Sequence, residues 1–234
     1  MPRLVRAGRH LRLIGTLLVA AGFTTTPTGL AQATGAVAGR VKLLRVRGTP
    51  LPSNVYSPRA VERRDAPQAA EIKNVVVFLK GVTYQGTLPI SHREVRQEHE
   101  TFLPRVVAVT KGSTVDFPNG DPFFHNVFSL SSAATFDLGR YKQGESHAQP
   151  LSKAGLVKVY CHIHSHMSAS ILVLDHPYFT VPDDDGTFAI ERVPPGRYAI
   201  VGWHERVGER TGVIQVEPGK VASIELSLPF EDGP

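Results

Sequence analysis

The chain has 234 residues, of which 41% are hydrophobic and 20% charged, and this composition excludes both a disordered and a membrane-embedded protein. Its length allows one large domain or two small ones. The formal net charge of +5 does not indicate a nucleic-acid partner, because four of the 26 basic residues lie in the first 33 positions. The remaining 22 basic residues are nearly balanced by 21 acidic ones.

The first 33 residues have the three parts of a secretion signal. Four arginines precede an apolar stretch from Leu13 to Phe23, and Ala31-Gln32-Ala33 offers a cleavage site with small residues. The apolar stretch is short for a membrane span, so an uncleaved anchor is the weaker alternative. We therefore predict a signal peptide over residues 1–33, cleavage near Ala33, a periplasmic or otherwise exported protein, and no membrane span after cleavage.

The first half of the mature chain alternates between strand patterns and turns. Residues 35–44 alternate in polarity, and 74–79 form a nearly continuous apolar, β-branched run typical of a buried strand. Between them, residues 48–71 are rich in proline and charge and are expected to form a long loop. Further strands are predicted at 94–100, 105–110 and 113–117, and another begins at His125. Residues 131–147 look polar and irregular.

Strand patterns continue to the C-terminus without a convincing helical period. The predicted strands are 156–161, 168–174, 178–181, 187–191, 197–203, 212–216 and 221–228. Turn signals such as Asp185-Gly186 and Pro195-Gly196 separate several of them. The fold class is therefore predicted to be all-β, and short strands at this spacing favour β-sandwiches.

One loop concentrates the metal-binding side chains of the chain. The sequence CHIHSHM at 161–167 contains the single cysteine, three histidines and the only methionine besides Met1. Thiolate, imidazole and thioether are ligands that suit copper. A lone thiol in an exported protein cannot form an internal disulfide, which favours metal ligation over an idle cysteine.

A second histidine for such a site must come from elsewhere in the chain. A trigonal His₂Cys site with a long axial Met is typical of blue-copper electron-transfer centres. His125, at the start of a predicted strand and after a turn, suits the missing position, and its neighbour Asn126 could hydrogen-bond to the loop.

These motifs resemble the cupredoxin family. FLP at 102–104, KGSTVDF at 111–117, PNGD at 118–121 and HNV at 125–127 resemble its first half, and Cys-x-x-His-x-x-Met at 161–167 resembles its second, with the short spacing of amicyanin. The resemblance implies a Greek-key β-sandwich over 90–175. It also implies one type 1 copper held by His125, Cys161, His164 and Met167.

The same resemblance implies a one-electron carrier whose redox partner is a protein such as a cytochrome c or a dehydrogenase. Four protein ligands saturate the metal, so we do not expect an enzyme. The pattern leaves His162 and His166 unexplained; they are either solvated or take part in tuning or loading the site. Copper delivery without electron transfer, and a surface-binding module without metal, remain alternatives. A trinuclear or dinuclear copper centre and a calcium site at 183–185 are not favoured.

The C-terminal third resembles a different small domain. DDGTFAI at 184–190, VPPGRY at 193–198 and Pro218-Gly219 look like a carboxypeptidase-regulatory-like (transthyretin-like) sandwich. Its first strands are missing nearby, but Gly39-Arg40-Val41 and residues 74–79 could supply them. We therefore predict a discontinuous second sandwich, residues 36–88 plus 176–229; alternatively, residues 36–88 add strands to the cupredoxin. The Trp203-His204-Glu205 cluster is expected to be a strand end, and the other histidines ordinary surface or strand-end residues.

Overall fold

A computed structural model describes residues 33–46 and 71–231 of the chain. Residues 1–32 of the predicted signal peptide and residues 48–70 of the predicted long loop lie outside the described residues. The described ranges contain seventeen β-strands, which confirms the predicted all-β class. They contain no helix that is long and apolar enough to cross a membrane. The strands are β1 Gly35–Val46, β2 Val75–Lys80, β3 His92–Glu94, β4 Arg96–Glu98, β5 Thr101–Leu103, β6 Val106–Thr110, β7 Thr114–Pro118, β8 His125–Ser131, β9 Ala134–Tyr141, β10 Ser146–Pro150, β11 Gly155–Tyr160, β12 Ser168–Leu174, β13 Phe179–Thr180, β14 Thr187–Val193, β15 Gly196–His204, β16 Gly208–Val216 and β17 Val221–Glu231.

The central part of the chain forms the first sandwich. A five-stranded sheet in the order β6-β12-β11-β8-β9 packs against a three-stranded sheet in the order β10-β7-β3, and β4 and β5 form a separate hairpin. Alternate residues of these strands point inward, as the period of two requires. Their shared core includes Phe102, Phe117, Val127, Val157 and Ile171.

The chain segments on either side form the second sandwich. One sheet has the order β14-β1-β17 and the other β13-β2-β15-β16. Strand β1 pairs in parallel with β17, from Ala36 opposite Val221 onward, and antiparallel with β14. The core between the sheets contains Val37, Val41, Ile200, Ile214 and Leu228, among others. Within the described ranges, no sheet combines strands β3 to β12 with the remaining strands.

Strand β2 is buried on both faces, which explains its nearly continuous apolar sequence. Val75, Val77 and Leu79 belong to the core of the second sandwich. Val76 and Phe78 belong to another cluster, the inter-sandwich core, which combines residues of both sandwiches. A strand covered on both faces has no position for a polar residue, so its pattern does not alternate. The members of the inter-sandwich core are Val76, Phe78, Val106, Ala108, Leu172, Leu174, Val201 and Trp203.

A buried carboxylate lies beside the inter-sandwich core. The Glu205 side chain, which is 5% exposed, forms an ion pair with Arg105 and accepts a hydrogen bond from Ser170 Oγ at 3.0 Å. Lys158 Nζ lies 3.6 Å from Glu205 Oε2, the oxygen that also accepts from Ser170. Since Glu205 follows β15 and its partners belong to or adjoin the first sandwich, this polar group joins the two sandwiches as the apolar residues do.

The structure corrects two strand predictions. Residues 131–147, predicted to be irregular, contain β9 and the start of β10. In β9 the partly buried Ala134, Phe136 and Leu138 alternate with the exposed Thr135, Asp137 and Gly139, a weak amphipathic pattern that ends where Arg140 is also exposed. The predicted strand 94–100 is divided at the buried Val95 into β3 and β4 and ends in a turn.

Two histidines expected at the surface or at strand ends are buried. His204 ends β15, as the strand-end interpretation of the cluster requires, but it is inaccessible to solvent and its Nε2 lies 3.3 Å from Glu71. Burial lowers the pKa of His204, although the nearby Glu71 opposes the shift. His176 is also buried, stacks on the ring of Tyr178, and accepts a hydrogen bond from the Tyr178 N–H at Nδ1.

We expect His176 to make the stability of the fold depend on pH. Burial lowers its pKa, and Asp175 only partly opposes this, so the folded state holds the neutral imidazole. The unfolded chain takes up a proton below the ordinary value of 6.5. The neutral His176 therefore makes its full contribution to the free energy of unfolding above pH 6.5. This contribution is lost as the pH falls below that value, by at most about 1.4 kcal/mol per pH unit.

Denaturant unfolding of the metal-free protein between about pH 7 and pH 5 measures this dependence. His176→Gln should flatten the decline. His92→Gln, the same change at a side chain that is 78% exposed, should not. Equal slopes for wild type and His176→Gln would contradict the expectation.

We propose that residues 90–175 fold as a domain inserted in the second sandwich. A fragment of these residues keeps the core of the first sandwich. It lacks the residues of the second sandwich that pack on Val106, Ala108, Leu172 and Leu174. We therefore expect a folded fragment that is less stable than the whole chain and that self-associates, because exposed apolar patches promote association. Circular dichroism and size-exclusion chromatography test this. An unfolded fragment would show instead that the two sandwiches fold only together.

Candidate metal centre

The loop Cys161–Met167, the ligand loop, is held by the strands on either side. Strands β11 and β12 are antiparallel neighbours, and Tyr160 lies opposite Ser168. The Met167 N–H donates to the His164 carbonyl at 3.0 Å and closes a tight turn within the loop. Both ends of the loop, Cys161 and Met167, are buried in the core of the first sandwich. The loop therefore fixes its sulfur-bearing residues inside and leaves its middle near the surface.

His125 reaches the same place from a neighbouring strand. Strand β8 is adjacent to β11 in the sheet, with Phe128 opposite Tyr160. His125 is the first residue of β8 and is inaccessible to solvent. Residues at the same end of adjacent strands come together although they are distant in sequence, and this brings His125 to Cys161.

His125, Cys161 and His164 form a compact group, the His-Cys-His cluster, whose potential ligand atoms lie within 4.8 Å of one another. Cys161 Sγ is 3.8 Å from His125 Nδ1 and 4.0 Å from His164 Nδ1. The two Nδ1 atoms are 3.2 Å apart. A circle through these three atoms has a radius of about 2.1 Å. Bonds from a transition metal to imidazole nitrogen and thiolate sulfur are about 2.0–2.3 Å long, so the cluster fits one such ion.

The fourth predicted ligand, Met167, is 1% exposed and belongs to the same buried cluster as Cys161. The structure thus brings together three of the four predicted residues as a group of donors and places the fourth at the buried end of the same loop. The donor chemistry of one thiolate, two imidazoles and a nearby thioether fits copper better than a hard cation. That these four residues bind copper stays a prediction.

Asp121 is a partner of His125 that the sequence did not reveal. Its Oδ2 lies 2.8 Å from His125 Nε2, and its side chain is buried. Burial would raise the pKa of Asp121, but hydrogen bonds from the N–H groups of Glu100 and His99 and from the His125 ring together lower it. A carboxylate four residues before a candidate ligand is the only signal in the sequence that could have indicated this contact.

Asn126 connects strand β8 to the ligand loop, as predicted. The His162 N–H donates to Asn126 Oδ1 at 3.4 Å. The amide group of Asn126 in turn donates to Asp137 Oδ1 at 2.6 Å and to the Gly139 carbonyl at 3.1 Å. Hydrogen bonds from Gly139 N–H and Asn126 lower the pKa of Asp137, so this anchor is charged. The start of the ligand loop is therefore tied to two further strands.

Phe123 packs against both imidazoles of the cluster. Its ring centroid is 5.2 Å from that of His125 and 5.5 Å from that of His164. Phe123, Phe124 and Ile163 are exposed apolar residues. The half-buried His164 thus lies beside an apolar surface, whereas His125 lies behind it.

The other two loop histidines do not belong to the cluster. The His162 ring packs edge-on against Phe128, with centroids 3.8 Å apart. His166 Nε2 lies 3.4 Å from Glu100 Oε2, and the His166 side chain is 61% exposed. Their rings have other partners, so of the three histidines in the ligand loop only His164 belongs to the His-Cys-His cluster.

Comparisons with known proteins give only distant similarities. No family model matches this chain, and no curated protein matches it. Among solved structures, the chain is similar to a Cu(I) form of a mutant amicyanin, with 19% identity over 36% of this chain and 82% of that one and a TM-score of 0.34. The chain is also similar to an oxidised mutant amicyanin, with 20% identity over 36% of this chain and 82% of that one and a TM-score of 0.34. A Cu-containing nitrite reductase from Thermus scotoductus SA-01 gives 23% identity over 56% of this chain and 28% of that one, with a TM-score of 0.33.

Proposed function

We propose that the protein is an exported type 1 copper protein that carries single electrons between redox partners. His125, Cys161, His164 and Met167 are the proposed ligands of one copper ion per chain. The observation that carries the proposal is the His-Cys-His cluster, because a thiol and two imidazole nitrogens from two separate parts of the chain meet at distances that suit one metal ion.

The chain's own residues supply what such a centre needs. Copper bound there would supply one-electron chemistry by alternating between Cu(II) and Cu(I). Cys161, His125 and Met167 are buried, and their positions are fixed by strand ends and a tight turn. Asp121 and Asn126 add hydrogen bonds that restrict movement of the His125 ring and the loop backbone. A rigid ligand set favours rapid electron exchange, because little has to rearrange when the charge changes.

The ligand set also supports a carrier rather than an enzyme. Catalytic metal sites keep an open position for water or substrate. Four protein ligands, three of them buried, would leave none. We therefore propose that the protein has no catalytic activity of its own.

The surface beside His164 is the proposed docking site for the redox partner. Phe123, Phe124 and Ile163 give it an exposed apolar face. The nearly equal numbers of basic and acidic residues that remain after removal of residues 1–33 provide little long-range steering. A cytochrome c or a dehydrogenase in the same exported compartment is the proposed partner, and their association should depend weakly on salt.

Metal analysis and a redox titration of the purified protein test this function. We expect one copper per chain, an intense visible absorption band in the oxidised protein, and its reversible loss on reduction. Stoichiometric copper that is colourless and passes to a Cu(I) chelator would indicate copper delivery. Absence of stoichiometric copper in protein isolated from its native compartment would indicate a module that functions without metal.

A further inference from the structure

The turn between β4 and β5 has an unfavourable backbone. Glu98 lies opposite Thr101, so His99 and Glu100 are the two central residues of a tight hairpin. Their φ angles are 54° and 53°. Two-residue hairpin turns with positive φ at both positions strongly prefer asparagine, aspartate and glycine, and neither residue here is one of these. Residues other than glycine are strained in this region, and persistent strain of this kind often marks a functional site.

This backbone conformation directs two consecutive N–H groups at one carboxylate. The His99 N–H donates to Asp121 Oδ1 at 2.6 Å, and the Glu100 N–H donates to Asp121 Oδ2 at 2.9 Å. The Asp121 N–H donates in turn to Asn119 Oδ1 at 2.9 Å, which fixes the backbone beneath the carboxylate. Hydrogen bonds to an ionised acceptor are roughly twice as strong as neutral ones, so this arrangement holds the buried Asp121 side chain firmly.

The carboxylate held in this way makes a third contact, to the candidate ligand His125. Asp121 Oδ2 lies 2.8 Å from Nε2, on the side of the ring away from Nδ1. An acceptor at Nε2 keeps the proton on that nitrogen and leaves the lone pair of Nδ1 free. His125 Nδ1 is the atom that faces Cys161 Sγ and His164 Nδ1.

We propose that the His99–Glu100 turn is a positioning device for the metal centre: its two N–H groups fix the Asp121 carboxylate, and Asp121 fixes the tautomer and ring orientation of His125. The inference that this device serves a metal rests on the proposed function. The contacts that join the turn, Asp121 and His125 are present in the metal-free protein. The two hydrogen bonds from the turn to the Asp121 carboxylate offset part of its backbone strain.

The first experiment is NMR on the metal-free, ¹⁵N-labelled whole protein. The imidazole ¹⁵N shifts of His125 should show the proton on Nε2 and a free Nδ1, and the His99 and Glu100 amide protons should be shifted downfield by their ionised acceptor. A proton on Nδ1 of His125, or ordinary amide shifts at both turn residues, would overturn the proposal.

The second experiment replaces the carboxylate by an amide. In Asp121→Asn one of the two oxygens becomes an NH₂ group, which cannot accept from the turn or from His125. We expect both amide shifts to change, a second tautomer of His125 to appear, and copper affinity to fall about 10- to 100-fold.

Asp185→Asn is the matched control. Asp185 also accepts a backbone N–H and a hydroxyl, both from Thr187, but in the second sandwich. The Asp185→Asn variant should keep the wild-type tautomer of His125 and the wild-type copper affinity. Equal affinity and an unchanged tautomer in Asp121→Asn would overturn the proposal. If Asp121→Asn does not fold, the wild-type spectrum still decides the tautomer and the amide contacts. A wild-type protein with the expected tautomer but no copper would refute the proposed function and leave the role of the turn intact.

Discussion

Cys161→Ala is expected to abolish the visible absorption of the copper-loaded protein and to lower its copper affinity by on the order of a hundredfold or more. The thiolate is the proposed ligand whose bond to copper gives a blue site its colour. In this structure Cys161 Sγ lies within 4.0 Å of both imidazole nitrogens, so its removal opens one corner of the cluster. Absorption spectra and competition titrations with a copper chelator measure both effects.

Two comparisons separate a lost ligand from a damaged fold. Cys161 is buried but small, so the free energy of unfolding of metal-free Cys161→Ala should lie within about 1–2 kcal/mol of the wild-type value. Met167→Leu, a change in the other sulfur-bearing residue of the loop, should keep the band and shift the reduction potential, because an axial ligand tunes the centre. A Cys161→Ala protein that keeps the intense band would exclude the thiolate as a ligand.

Trp203→Ala is expected to give the largest loss of stability outside the metal centre, about 3–5 kcal/mol. Trp203 is the bulkiest member of the inter-sandwich core, is 8% exposed, and has Lys158 Nζ 6.0 Å from its ring centroid. Its removal leaves a cavity between two packed sheets. Neither sheet can move inward to fill this cavity, because each is also bound to its own sandwich.

Denaturant unfolding of the metal-free protein gives the free energy directly. Val213→Ala is a suitable control, because Val213 is 58% exposed on β16 and its change should stay within about 0.5 kcal/mol. A loss below about 1 kcal/mol for Trp203→Ala would mean that the inter-sandwich core contributes little to the fold.

The sequence predicts strands and candidate ligands best where a short segment has a distinctive pattern of residue types. The strand predicted at 168–174, directly after the ligand loop, coincides with β12, and the apolar run at 74–79 identified the buried strand β2. The spacing of Cys161, His164 and Met167 indicated a compact loop, and a single additional histidine at a strand start indicated where the remaining ligand could come from. The apolar run and the Cys-x-x-His-x-x-Met spacing each lie within one short segment, so the sequence alone is enough to find them.

The features that were missed depend on contacts between distant segments. Strand β9 alternates only weakly, because its inward residues are only partly buried, one of them is the small Ala134, and Gly139 and Arg140 are exposed in succession. Asp121 could be recognised as a turn residue, but its two donors belong to a hairpin about twenty residues earlier. The burial of His204 depends on Glu71 and on the packing of the neighbouring strands, which no local pattern records.

Strand β2 contributes one row of side chains to the second sandwich and the opposite row to the inter-sandwich core. The two halves of the molecule are therefore linked thermodynamically. Any ion or partner that binds the ligand loop adds its binding free energy to the folded state of the first sandwich. Through the inter-sandwich core, we expect part of that free energy to protect the sheets of the second sandwich from local opening. We therefore expect occupancy of the proposed metal site to be measurable in the second sandwich, although none of its strands supplies a proposed ligand.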